Sequence, residues 1–152
     1  MTIAELCERH RHIAIDSNVL IYVLEGSEPF GPVARALLTA VEEGQVAAML
    51  SAVGLAEVLT GPARTDVALV ECYNDEIRSI VGLKIVPFAV DWAADAAVIR
   101  GIRGTGLSDA MHLATARARG ATAFVTNDRS IRGSAKLEVI YLGDLSLDPE
   151  PL

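Results

Sequence analysis

A chain of 152 residues, 51% hydrophobic and 22% charged, has the length of one domain and the composition of a packed globular protein, which excludes a disordered or low-complexity chain. Its formal net charge of −7 excludes broad electrostatic attraction to polyphosphate, so any contact with a nucleic acid has to come from a local basic patch. Cys7 and Cys72 lack a CxxC spacing and read as reduced thiols. With no secretory apolar segment at the start and no apolar run near the roughly 20 residues of a membrane span, the sequence predicts a cytoplasmic protein without a membrane segment.

In chain order, residues 1–11 predict a short helical N-terminal extension with no evident role. Residues 12–16 read as a buried strand ending at Asp16-Ser17-Asn18, residues suited to a turn and a helix N-cap. A helix follows through Leu20, Tyr22 and Leu24, and another over 32–43, with Pro32 in its first turn and Gly44 as its stop. Residues 46–50 form strand two. Ser51 caps a helix that carries Leu55, Val58 and Leu59 on its apolar side and Glu57 beside them, and Gly61-Pro62 is expected to stop it. Val67, Val70, Tyr73, Ile77 and Ile80 recur at spacings of three or four, which predicts a helix over 66–81 with one buried face. Residues 84–89 supply strand three, and Asp91 is expected to cap a helix that runs to Arg103. After Gly104-Thr105-Gly106, Ser108-Asp109 opens a helix ending at Gly120. Strand four covers 122–126, Asn127-Asp128 begins a turn, strand five covers 137–142, and 144–152 is a Pro-containing tail. The whole chain, 1–152, reads as a single domain. This alternation implies a three-layer α/β/α sandwich around a mostly parallel five-stranded sheet, which binds its ligand at the carboxyl ends of the strands.

Four acids point to that edge. Asp16 and Asp128 stand just past strand ends. Asp109 opens a helix that feeds strand four at its amino end, so it lies back at the carboxyl edge. Glu57 is in the second turn of the helix leaving strand two, and helical side chains tilt toward the N-terminus, returning its carboxylate to the same place. Each acid alone has an ordinary role as a cap, turn residue, dipole partner or solvated side chain. Their common direction sets them apart. At about 4–5 Å and an effective dielectric of about 20, each ionised pair costs roughly 3–4 kcal/mol, so a positive charge has to compensate. An oxygen-only pocket suits Mg²⁺, with Mn²⁺ possible, and the residues fit one ion or two. Such an ion lowers the pKa of a bound water and neutralises charge developing on a phosphodiester, which points to hydrolysis of RNA.

Four segments carry a resemblance: Ile15-Asp16-Ser17-Asn18-Val19-Leu20-Ile21-Tyr22; Ser51 with Glu57-Val58-Leu59-Thr60-Gly61-Pro62; Leu107-Ser108-Asp109-Ala110-Met111-His112-Leu113-Ala114-Thr115-Ala116; and Val125-Thr126-Asn127-Asp128-Arg129. In this order, and over nearly the whole chain, they resemble the PIN-domain family, in particular the VapC-type toxins of toxin–antitoxin pairs. The resemblance implies a Mg²⁺-dependent endoribonuclease with an α/β/α sandwich, usually a homodimer, held inactive by a small cognate antitoxin. It places Asp16, Glu57 and Asp109 at the first three acidic positions and Asp128 at the fourth. Ser17 or Asn18 would support the first motif, and Thr126 or Asn127 the last.

Arg129 and Arg132, after Asp128, are the expected phosphate contacts, with Ser17, Asn18 and Thr126 as further RNA-binding candidates. Arg100 and Arg103 form a second basic pair. His112 follows Asp109 by three residues and is read as structural. His10-Arg11-His12 is not read as a metal clip, because adjacent residues point apart. Two other functions fit parts of the pattern. A phosphatase of the haloacid-dehalogenase type would use Asp16 as nucleophile but wants a second Asp where Asn18 stands. A non-catalytic acidic module could instead capture a basic partner peptide. An antitoxin would combine a basic tail in the pocket with an amphipathic segment over an apolar groove.

Overall fold

Five short apolar runs form the strands of one sheet: β1 (His12–Ile15), β2 (Ala47–Ser51), β3 (Leu83–Val86), β4 (Ala123–Thr126) and β5 (Glu138–Tyr141), in the order β3-β2-β1-β4-β5. The computed structural model describes residues 1–152. Parallel neighbours need crossovers, which the helices supply. α1 (Ile3–Arg9) precedes β1; α2 (Ser17–Glu25) and α3 (Gly31–Glu42) lead to β2; α4 (Ala52–Thr65) and α5 (Ala68–Arg78) lead to β3; α6 (Ala93–Arg103) and α7 (Leu107–Ala118) lead to β4. The result is the expected three-layer α/β/α sandwich, and its sheet is parallel throughout. No helix is long and apolar enough to cross a membrane.

The period-two alternation of β1 divides the interior. Ile13 and Ile15 join Leu20, Leu37 and Leu50 in one core, whereas Ala14 faces the other way with Met49 and Phe124, against α6 and α7. β4 is buried at every position, as a central strand covered on both faces must be. Phe124 fills the second core, where burying a ring of that size stabilises by roughly 1.5–3 kcal/mol. Ala96, Ala110 and Ala114 are buried in this core, and their small side chains let the helices lie close to the sheet.

The N-terminal extension has a role that its sequence does not announce. Thr2 and Glu5 form a reciprocal capping box: the Thr2 hydroxyl accepts from Glu5 N–H at 3.2 Å, and the Glu5 carboxylate accepts from Thr2 N–H at 2.7 Å. Ile3 and Leu6 of α1 are buried in the larger core. Residues of the C-terminal tail pair with this segment, Ser146 N–H donating to Met1 O at 3.0 Å and Ile3 N–H to Ser146 O at 3.3 Å.

Several boundaries differ from expectation. α4 runs through Gly61-Pro62 to Thr65. Proline removes one intrahelical donor, yet the ladder resumes beyond it, with Asp66 N–H donating to Pro62 O at 2.9 Å. α5 is shorter than expected because the Asp66 side chain accepts from Ala68 N–H at 3.0 Å and starts the helix there. Of its proposed apolar face only Ile77 is fully buried, and Val67 is exposed. β3 ends before Pro87, which cannot donate to a ladder. Asp91 caps nothing; it lies in a 3₁₀ turn, Val90–Trp92, that leads into α6.

Candidate metal centre

Asp16 is the first residue past β1 and the N-cap of α2, which turns its carboxylate onto the carboxyl edge of the sheet. Four donors fix it: Ser17 N–H at 2.7 Å and the Ser17 hydroxyl at 3.3 Å on Oδ1, and the Thr126 hydroxyl at 2.7 Å and Asn18 Nδ2 at 3.3 Å on Oδ2. The carboxylate is 4% exposed and Thr126 fully buried. Thr126 Oγ1 also accepts from Asp128 N–H at 3.0 Å, and Asn18 Oδ1 from Asn127 N–H at 3.3 Å. The ends of adjacent strands β1 and β4 are thus clasped by polar side chains, which is where Ser17, Asn18 and Thr126 spend their hydrogen bonds.

Glu57 projects from the second turn of α4 and is half-buried. Its Oε1 lies 2.6 Å from His112 Nε2, and its Oε2 accepts from the Ser108 hydroxyl at 3.4 Å. Hydrogen bonding from His112, with help from the His112 charge and from Ser17 and Ser108, holds the carboxyl below its ordinary range despite the opposing effect of burial. His112 lies on α7, is 2% exposed, and has Nε2 3.9 Å from Asp16 Oδ1. One ligand atom each from Asp16, Glu57 and His112 lies within 4.8 Å of the others.

Asp109, in the first turn of α7, is half-buried. Burial first, then the charges of Asp16, Asp128 and Glu57, push its carboxyl up to about 6 against a smaller lowering by His112. All four expected acids therefore share one electrostatic neighbourhood, although Asp109 and Asp128 are not part of the tight three-residue group. Asp128 is half-buried and commits Oδ1 to its own turn, accepting from Ser130 N–H at 2.9 Å and the Ser130 hydroxyl at 2.7 Å.

The expected basic contacts divide. Arg129 donates from both terminal nitrogens to Asp144, at 3.0 and 2.7 Å, and its guanidinium lies 4.8 Å from the centre of the Tyr141 ring. That clamp occupies the donors expected to meet phosphate. Arg132 remains exposed with no ion-pair partner, and its carbonyl accepts from Arg103 at 3.1 Å, so the end of α6 and the loop after β4 meet. Arg100 donates to Thr105 O at 3.4 Å in the turn before α7. The residues that sequence reasoning undervalued are His112 and Ser51. Their only sequence signal is position: one is a helical turn after Asp109, and the other caps the helix of Glu57.

A cavity of about 510 Å³ lies between α2, α4 and α5, lined in part by Ile21, Leu24, Pro62, Leu69 and Tyr73, and it opens beside Glu57.

The sequence profile of the PIN domain matches residues 13–137. No curated protein matches by sequence. Among solved structures, the fold is similar to that of VapBC2 from Rickettsia felis bound to a DNA fragment from its promoter, at 18% identity and a TM-score of 0.67, covering 86% of this chain and 98% of that one. A toxin–antitoxin complex from Klebsiella pneumoniae is 22% identical with a TM-score of 0.61, covering 82% and 94%. VapC20 of Mycobacterium tuberculosis, a sarcin-ricin loop cleaving toxin, is 18% identical with a TM-score of 0.58, covering 74% and 86%.

Proposed function

The chain belongs to the PIN domain family, and from that premise we propose that it is a single-domain, cytoplasmic, Mg²⁺-dependent endoribonuclease, the toxin of a type II toxin–antitoxin pair. The observation that carries the reading is geometric: one ligand atom each from Asp16, Glu57 and His112 lies within 4.8 Å of the others, beside Asp109, whose carboxyl is raised by burial and by Asp16, Asp128 and Glu57. Asp16, Glu57, Asp109 and Asp128 would hold the ion through hard oxygens, for which Mg²⁺ or Mn²⁺ is the natural choice. When bound, it supplies an activated water and neutralises charge on the phosphodiester. The residues do the rest: Ser17, Asn18 and Thr126 orient Asp16, Ser108 donates to Glu57, and Arg132, Arg103 and Arg100 offer cationic contacts to the RNA backbone on the adjoining rim. Incubation of the purified protein with total RNA is expected to give cleavage in Mg²⁺ and none in EDTA. Equal cleavage in both would remove the metal from the chemistry, and none in either, with calorimetry showing no metal binding, would favour the acidic binding module instead.

The solved relatives include toxin–antitoxin complexes, and this supports a cognate antitoxin as partner. The cavity beside Glu57, lined by Ile21, Leu24, Leu69 and Tyr73 and also by Glu25 and Arg64, is placed to take an amphipathic segment whose basic end reaches the acids. A homodimer is supported by α6, which exposes Ala94, Ala97, Val98, Gly101 and Ile102, Val98 at 54% and Ile102 at 81%. Exposed aliphatic side chains grouped on one helix mark an interaction surface. Sedimentation is expected to show a dimer for the parent and a monomer for Ile102→Glu; a monomeric parent sinks this interface.

A further inference from the structure

We propose that His112 is a positioning residue that fixes the carboxylate of Glu57 at the end of a hydrogen-bond relay starting from the backbone of α4. The relay rests on the metal-centre reading above and assigns it a component that is neither acid nor metal ligand.

The chain of contacts is short and buried. Gly54 N–H donates to Ser51 Oγ at 3.1 Å, Ser51 Oγ lies 2.6 Å from His112 Nδ1, and His112 Nε2 lies 2.6 Å from Glu57 Oε1. Ser51 is 5% and His112 2% exposed, so water does not compete for these atoms. Ser51 Oγ, as the N-cap of α4, accepts from Gly54 N–H and with its second lone pair or its own proton meets His112 Nδ1. The proton on Nε2 follows from its partner: the Glu57 carboxylate, held below its ordinary range, only accepts, so Nε2 carries the ring proton that faces it. In that form His112 presents no lone pair to the centre and acts only as a donor.

The ring has little freedom to leave this arrangement. It stacks against Phe124 with an interplanar angle of 24° and a centroid separation of 6.3 Å. On its other side the absence of a side chain at Gly54 makes room: a Cβ there would stand 3.3 Å from His112 Cε1 and 2.6 Å from Leu50 Cδ1. Glu57, by contrast, is a long side chain on the rim, 36% exposed. Without a fixed donor on Oε1 it would sample rotamers that point away from Asp16. With one, Oε1 is committed to α7, and both His112 and Ser108 hold Glu57 next to Asp16 from the helix that also bears Asp109. Partners of this kind, acting on a ligand rather than on the ion, typically change metal affinity ten- to a hundredfold when removed.

The test compares Mn²⁺ titrations of metal-stripped full-length parent, His112→Gln and His112→Met by calorimetry. Gln places an amide donor near the original Nε2, whereas Met fills the space and donates nothing. Affinity is expected to stay within a few-fold of the parent for His112→Gln and to fall ten- to a hundredfold for His112→Met. Equal affinity for parent and His112→Met overturns the relay and leaves the metal centre standing. A parent that takes up no Mn²⁺ brings down the metal-centre reading itself, and the positioning role with it. Should His112→Met fail to fold, the ring ¹⁵N shifts of the parent decide: a ring that carries a proton on Nε2 supports the relay, and one with Nε2 unprotonated overturns it.

Discussion

Asp16→Asn protein is expected to cleave RNA about a thousandfold more slowly than the parent in saturating Mg²⁺, with no loss of stability when metal-free. The substitution keeps the size of the side chain and removes one ligand charge. Ion-based stabilisation of a phosphodiester transition state is worth several kcal/mol, and each 1.36 kcal/mol is tenfold in rate, so losing about 4 kcal/mol of it gives the stated factor. Folding should survive because Asn can still accept from Ser17 N–H, and Asn18 Nδ2 and the Thr126 hydroxyl, which lose Oδ2 as acceptor, keep each other as partners at 3.4 Å. Removing one of several crowded negative charges also relieves repulsion. Single-turnover cleavage and urea midpoints measured on the same preparation check both halves. A variant that cuts as fast as the parent would remove Asp16 from the chemistry.

The second expectation concerns pH. Asp109 has a folded value of about 6, above the ordinary 3.8, so between those values the folded chain holds a proton that the unfolded chain has released. Its stabilising contribution is therefore fully present below about pH 4 and is lost as pH rises through 6. The metal-free protein should melt at a lower temperature at pH 7 than at pH 5, and Asp109→Asn should remove most of that difference. A cation that takes Asp109 as ligand has to expel this proton. Its apparent affinity should rise roughly fivefold from pH 5 to pH 6 and about tenfold in all by pH 7, where it begins to level off. Mn²⁺ titrations at the three pH values measure this directly; an affinity independent of pH would mean that Asp109 stays outside the coordination sphere.

Much of the architecture was legible in the sequence because it is encoded locally. The alternation of Ile13, Ala14 and Ile15, the cap at Ser51 and the break at Gly104 each act within a few residues, and a parallel sheet follows once strands and helices alternate. The placement of Asp16 just past β1 and of Glu57 in the second turn of α4 followed from the same local rules. What the sequence hid depends on contacts across the fold. Whether Pro62 ends α4 depends on what the helix packs against, and the Arg129 clamp depends on Asp144 arriving from beyond β5. The role of His112 is tertiary in the same sense. Nothing near it in the chain distinguishes a core imidazole from one held between Ser51 and Glu57, residues separated from it by 61 and 55 positions.

The strand order has a consequence for how this protein comes off the ribosome. β1 lies at the centre of the sheet, and one of its neighbours, β4, is made more than a hundred residues later. Until that strand docks, Asp16 lacks its Thr126 partner and neither Asp109 nor Asp128 is in place, so a nascent chain holds no complete acidic site during most of its elongation. On the proposed nuclease reading, an activity assembled in this order appears only after the last third of the chain has emerged.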